Sequence, residues 1–348
     1  MATEDETAEE SEEQGREAAH RLRNGLIALA ILVGLVVGLL LAVPGLKGVK
    51  QAVDHMSGGW IGIAVFLELL SCVGYVVAFL QVFERAPIRV GARVALSELA
   101  FNAAVSLGGG SGAAVGAWLL VERGARVGRV AERSVVLFLL TSAINVITFV
   151  LIGLLLLVGA LPGPSDPLLS ALPAGIGTVV FVAFLLLPRL INRGPVRRLP
   201  RRMLVALDTV DESIRDTAKL LRAPDWRILG AIGYLWFDMG VLLACFAAQH
   251  AHPPIAAVVL AYQLAYMSNV IPVPGGIGVL DGSMVGALVL YGVNATTATA
   301  AVVVYHAIAL WVPSVWGTVA FLILRRTRRQ PLQLRPTRAE RKALRAGQ

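Results

Sequence analysis

Charged residues are scarce in this chain of 348 residues. Asp, Glu, Lys and Arg make up 16% of it, whereas soluble domains contain about 25%, and the mean hydropathy is +0.72. So few polar residues cannot cover a soluble fold, which excludes a soluble enzyme, a secreted disulfide scaffold and a disordered protein. Cysteine is also rare: Cys72 and Cys245 both lie in apolar runs, and no Cys-x-x-Cys spacing suggests a metal site.

Long apolar runs dominate the sequence instead. Several are long enough to cross about 30 Å of hydrocarbon as helices, and their length excludes the short alternating strands of a membrane β-barrel. Two further apolar stretches, 95–121 and 255–293, are interrupted by the glycine clusters GGGSG and PVPGGIG. The sequence therefore predicts an all-α polytopic membrane protein with two broken stretches and about six full transmembrane helices, at 26–43, 60–83, 134–160, 169–187, 228–248 and 297–324.

The basic residues predict how these segments are oriented. All Lys and Arg except Lys47 and Lys50 fall in five clusters next to the predicted spans, and such clusters mark the cytoplasmic side. Both flanks of 95–121 are basic, whereas neither flank of 255–293 contains Lys or Arg. We therefore predict two re-entrant hairpins that enter from opposite sides, with both termini cytoplasmic. The alternative is that each stretch is a single kinked span.

The two broken stretches also suggest an internal repeat. Asn102 and Asn269 each lie six residues before a glycine of the cluster that follows them. Each stretch follows a span with an acidic residue and precedes a long apolar span, so residues 25–160 and 169–324 are predicted to form inverted repeats. We expect one membrane domain, 25–324, between an acidic-then-basic tail, 1–24, and a basic tail, 325–348, with an interfacial amphipathic helix at about 203–222.

Acidic residues inside the apolar segments are the first candidates for function. A charged side chain costs at least about 2.5–3.5 kcal/mol at the centre of a transmembrane helix, so it needs a partner or a wet cavity. The glycines of the broken stretches permit turns inside the bilayer, and their free backbone groups need polar partners. For the acids, the alternative is an internal hydrogen-bonded network that only holds the hairpins. The predicted translocation site comprises Asp281, Asn269, Pro272, Pro274, Gly275, Gly276, Gly278, Asn102, Gly108, Gly109, Gly110, Glu98, Glu68, Asp238 and His306.

The segment from Asn269 to Gly292, NVIPVPGGIGVLDGSMVGALVLYG, resembles the lysylphosphatidylglycerol synthase transmembrane region, a flippase-like family. The resemblance extends over about residues 25–326. Asp281 stands where that family has Glu, and Tyr305 and His306 stand where it often has Tyr-Arg. The first hairpin is less similar, because Leu107 and the glycine run replace the usual Pro-Gly-Arg turn.

The resemblance implies a protein of the bacterial inner membrane that moves a polar-headed lipid, such as an anionic or aminoacylated phospholipid, between leaflets. Only a short basic tail follows the last span, so the resemblance implies the translocating part alone, and a separate lipid-modifying enzyme is one candidate partner. Assembly with further copies of the chain, as a homo-oligomer, is another candidate interaction. No phosphate-binding GxxxxGK[ST] motif and no catalytic constellation is present, so we expect neither an enzyme nor a cofactor, and no nucleic-acid partner. The alternatives are a secondary transporter of a small or amphipathic solute, with proton coupling through Glu68 and Asp238, and a non-transporting scaffold.

Overall fold

The computed structural model describes residues 47–84, 86–104, 110–162, 171, 175–179, 182, 201–222, 225–268 and 279–327. The regular elements in these ranges are all helical. In chain order they are α1 (Lys47–Asp54), α2 (Gly58–Val82), α3 (Ile88–Ala104), α4 (Gly110–Val121), α5 (Val127–Leu157), α6 (Arg201–Arg222), α7 (Ile228–Ala248), α8 (Ile255–Ser268), α9 (Val279–Leu290) and α10 (Ala295–Arg326).

Four of the described helices, α2, α5, α7 and α10, are long and apolar enough to cross a membrane. They coincide with four of the six predicted spans. Large apolar side chains such as Phe66 and Val315 remain exposed along them, as expected for surfaces that face lipid. These helices identify a multi-pass membrane protein. The other two predicted spans, 26–43 and 169–187, lie outside the described residues, apart from helical residues at 171, 175–179 and 182.

Helices α2 and α7 pack against each other in the centre of the structure. A β-carbon added to Gly74 would lie 2.5 Å from the Tyr234 amide nitrogen and 2.8 Å from the Gly230 carbonyl oxygen. Toward the other end of the contact, Gly240 lies next to Leu67. Residue numbers rise along α2 as they fall along α7, so the two helices are antiparallel. Their close approach depends on glycine, as is common between membrane helices.

The first broken stretch forms two helices, α3 and α4, that pack against each other. Gly112 lies against the Glu98 carbonyl and next to Asn102, and Gly116 lies against the Glu98 side chain. Because side chains on a helix point toward its N-terminus, these contacts make the two arms antiparallel. The second broken stretch likewise forms two packed helices, α8 and α9. The segments that connect the arms, 105–109 and 269–278, lie outside the described residues.

The packing follows the same scheme in both halves of the described chain. Helices α1 to α5 correspond in order to α6 to α10. Each closely packed pair of helices in one half has a counterpart in the other. The contact of α3 with α10 corresponds to that of α8 with α5, and the contact of α1 with α10 corresponds to that of α6 with α5. Only the central pair, α2 and α7, is its own counterpart.

The predicted amphipathic helix is present as α6. It packs on α5, where Ser213 donates a hydrogen bond to the Glu132 carbonyl and Arg133 lies 3.7 Å from Asp216. Ile214, which belongs to the apolar stripe of this amphipathic helix, is buried. These contacts place α6 against the basic first turns of α5, so its apolar stripe faces protein over at least part of its length.

Candidate functional site

A cavity of about 450 Å³ lies between the first hairpin, α5 and the centre of the structure. Helices from both halves of the chain line it, and so does the helical piece at 175–179. Glu98 and Asn102, both predicted site residues, belong to its wall. The other residues that line it are Tyr75, Leu99, Gly112, Ala113, Ser134, Leu137, Phe138, Thr141, Ser142, Asn145, Val146, Phe149, Ile176, Gly177, Tyr234, Gln263 and Tyr266.

Glu98 is the acidic group of this wall and is only 3% exposed. The Tyr75 hydroxyl donates a hydrogen bond of 2.7 Å to its Oε2. Its other oxygen, Oε1, occupies the space beside Gly116 that a β-carbon would fill. Only glycine at position 116 therefore leaves room for this carboxyl, which explains one glycine of the second arm.

Other polar atoms on the cavity wall have unused hydrogen-bonding capacity. Asn102 Oδ1, Asn145 Oδ1, Ser134 Oγ and Gln263 Nε2 are buried and have no hydrogen-bond partner among the described residues. Buried polar atoms are nearly always satisfied in folded proteins. Four such atoms around one cavity are typical of a site whose partner is a polar ligand or water.

Two further acidic groups lie where α2 meets α7. The side chains of Glu68 and Asp238 are within hydrogen-bonding reach of each other, and we call them the carboxyl pair. Tyr262 and Tyr305 both donate hydrogen bonds to Asp238 Oδ2, the latter over 3.1 Å. The sequence identified both acids as buried but did not predict that they meet.

Five of the six tyrosines of the chain lie between the carboxyl pair and Glu98. The rings of Tyr75 and Tyr234 are 5.1 Å apart, and Tyr234 is hydrogen-bonded to Tyr266. The Tyr262 ring is 6.1 Å from that of Tyr266 and 6.3 Å from that of Tyr305. We call this set the tyrosine row. It begins at Glu98 with Tyr75 and ends at Asp238 with Tyr262 and Tyr305.

The sequence pointed to no member of this row except Tyr305, which stands where the family often has Tyr-Arg. The signal available was the location of the tyrosines, all of which fall in apolar helices or directly after one. Tyrosine in membrane proteins is concentrated at the interfaces, and a buried hydroxyl requires a partner. Several tyrosines in central apolar segments therefore indicate a polar interior.

A known protein family matches most of the chain. The family described as "Lysylphosphatidylglycerol synthase TM region" matches residues 26–317. The chain belongs to this family. The match confirms the resemblance inferred from the Asn269–Gly292 segment and covers both halves of the helical structure. No curated protein matches the chain significantly.

The remaining predicted residues of this family member are placed as follows. His306 is partly buried on α10, next to Tyr305, and does not line the cavity. Gly110 is the first residue of α4, and Asp281 belongs to α9, with its side chain outside the described part. The described part of the chain contains no group of three or more His, Cys, Asp or Glu side chains that could hold a metal ion. The other predicted site residues lie outside the described ranges: Asn269, Pro272, Pro274, Gly275, Gly276, Gly278, Gly108 and Gly109.

Proposed function

We propose that this protein is a flippase-like lipid translocase of the bacterial inner membrane, which moves a polar-headed lipid between leaflets. The observation that carries the proposal is the cavity beside Glu98. It offers buried polar atoms that have no hydrogen-bond partner among the described residues, on a wall that is otherwise largely apolar. A lipid head group needs such a polar site in order to cross the apolar core, because each unsatisfied polar group there costs several kcal/mol.

The cavity wall also offers a place for the acyl chains. Phe138 lines the cavity and is 63% exposed, so the apolar side of the wall continues to the outer surface of α5. A head group held by Glu98, Asn102 and Gln263 leaves its acyl chains on this surface, in contact with surrounding lipid. This division between polar and apolar contacts suits an amphipathic substrate better than a small solute.

The proposed topology places α3–α4 and α8–α9 as re-entrant hairpins that enter from opposite sides of the membrane. Three observations support it: the antiparallel arms of the first hairpin, the matching packing schemes of the two halves, and basic clusters on both flanks of the first hairpin. In this topology the repeats are inverted and both termini are cytoplasmic. Paired broken segments of this kind form midplane substrate sites in transporters.

The experiment that tests the function is lipid exchange in proteoliposomes. Purified protein is reconstituted with lipids labelled on head groups of different charge, and leaflet exchange is followed by quenching. Glu98→Gln removes the ionisable carboxyl of the cavity wall with little change in its shape. A hydrogen bond to a charged group contributes about 1.5–3 kcal/mol, so we expect exchange to slow by about 10- to 100-fold.

The matched control is Glu212→Gln on α6, the same chemical change outside the cavity wall. Asp281→Asn is expected to impair exchange while the protein remains folded, since Asp281 is near the start of α9 and follows the segment that the sequence predicts as the second turn. Normal exchange in Glu98→Gln would refute the cavity as the pathway. Absence of exchange for every lipid, with folded protein, would refute translocation and favour the solute carrier or the scaffold.

A further inference from the structure

We propose that the carboxyl pair, Glu68 and Asp238, is a proton-binding site that couples lipid movement to a proton gradient. The coupling rests on the proposed translocase function, whereas the proton site rests on the contacts of the two carboxyls. The site lies on the central helices α2 and α7, away from the cavity wall. It would supply energy for directed lipid movement without nucleotide hydrolysis.

The surroundings of the carboxyl pair contain few groups that could neutralise two negative charges. Glu68 is 5% exposed. Helices α2, α7 and α8 contain no Lys or Arg, and those of α10 are Arg325 and Arg326, its last two residues. Two buried carboxylates side by side are therefore expected to share a proton, because like charges at this distance cannot both remain ionised.

The hydrogen bonds of the pair show where a proton fits. Carboxylates only accept hydrogen bonds, so the contact between Glu68 and Asp238 is attractive only when one of them carries a proton. Glu68 Oε2 and Asp238 Oδ1 are both buried and have no hydrogen-bond partner within the described ranges. These are the oxygens to which a proton can bind.

The same geometry stabilises the pair after the proton has left. Tyr262 and Tyr305 donate to Asp238 Oδ2 and so hold the negative charge that remains there. In the step itself the O–H bond of the pair breaks, its electron pair stays on the carboxylate, and water, or Glu98 when it is ionised, accepts the proton. The tyrosine row connects the two places, and each hydroxyl in it can both donate and accept.

The other titratable groups around the carboxyl pair lie on the helices that pack against α2 and α7. Helix α5 has all of its titratable residues in its first two turns, and α3 has Glu98 at the far end of the tyrosine row. Those near the pair are Cys72 on α2, Tyr234 on α7, Tyr262 and Tyr266 on α8, and Tyr305 on α10, followed in sequence by His306.

The test compares lipid distribution in proteoliposomes with and without an imposed pH difference. If one proton moves with each lipid, a difference of one pH unit drives the labelled lipid to a steady ratio of about 10:1 between leaflets. A passive pathway gives a ratio near 1:1 whatever its rate. Dissipating the pH difference with an ionophore should return the ratio to 1:1.

Substitution of each carboxyl by its neutral amide then tests whether the proton binds at the carboxyl pair. Glu68→Gln and Asp238→Asn, made singly, should abolish the effect of the pH difference on the leaflet ratio. The matched control is Asp225→Asn, the same change at an exposed aspartate before α7, and it should retain the 10:1 ratio. Infrared spectra of the reconstituted protein give a readout independent of transport. We expect a protonated-carboxyl band that is absent from the double variant Glu68→Gln/Asp238→Asn.

Each of the other outcomes refutes one part of the proposal. Exchange that ignores the pH difference refutes the coupling and leaves the translocase function standing. A ratio driven by a sodium gradient instead refutes the proton in favour of a metal cation. If no lipid moves at all, the translocase function and the lipid coupling fail together. In that case the infrared band still decides the site: its absence refutes proton binding, and its presence assigns the proton to a different transported substrate.

Discussion

Gly74→Ala tests the close contact between the two halves of the chain. The new methyl group would lie 2.5 Å from the Tyr234 amide nitrogen, whereas an ordinary contact begins at 3.4 Å. The obstacle is backbone, which cannot turn away as a side chain can. Helices α2 and α7 must therefore separate locally by about 1 Å, and overpacking of this kind costs about 1–3 kcal/mol.

The same helix provides the control. Gly62 is exposed on α2, and a β-carbon there meets nothing within 4 Å. Gly62→Ala should stabilise the helix by about 0.5–1 kcal/mol, since alanine restricts the unfolded chain more than glycine does. The two variants are thus expected to differ in free energy of unfolding by about 1.5–4 kcal/mol.

The assay is unfolding in mixed micelles of increasing SDS content, followed by tryptophan fluorescence. Gly74→Ala should unfold at lower SDS than the native protein and Gly62→Ala at slightly higher SDS. Equal midpoints for the two variants would show that the backbones of α2 and α7 are not in contact at Gly74. The antiparallel central pair would then be refuted.

Two further substitutions probe single hydrogen bonds. Tyr75→Phe removes the donor to Glu98 Oε2 and should cost about 1–3 kcal/mol of stability because a buried carboxyl loses its partner; additivity with Glu98→Gln in a double-mutant cycle would contradict this. Arg123→Met removes the guanidinium that donates over 2.8 Å to the Leu324 carbonyl in the last turn of α10. It should lower the midpoint of SDS unfolding by a similar free energy, and an unchanged midpoint would show that this buried arginine does not hold the end of α10.

Hydropathy predicted the long helices well because their ends coincide with polar residues. The span predicted at 228–248 is helix Ile228–Ala248, between Arg227 and Gln249. The span predicted at 134–160 begins earlier, at Val127, because the helix continues beyond the apolar run. Its first turns are stabilised by the ion pair of Arg129 with Glu132, 2.8 Å apart. Hydropathy detects the apolar part of a helix, whereas backbone hydrogen bonding sets its ends.

The site was less predictable because it depends on how distant helices face one another. Glu68, Asp238 and Glu98 were identified singly by the cost of burying charge. Their partners come from α2, α7, α8 and α10, and helices that are apolar all round carry little periodicity to reveal which face turns inward. The meeting of Glu68 with Asp238, 170 positions apart, and the tyrosine row therefore required the packed structure.

The contact between α2 and α7 also restricts how the molecule can move. Where Gly74 meets Gly230 and Tyr234, backbone touches backbone, so no side chain between them can change rotamer and absorb a displacement. The two helices then act as one rigid unit, a central strut that both halves of the chain share. Any change that opens the cavity first to one leaflet and then to the other must come from the elements around this strut. The paired arms α3–α4 and α8–α9 would rock against it while the carboxyl pair keeps its place.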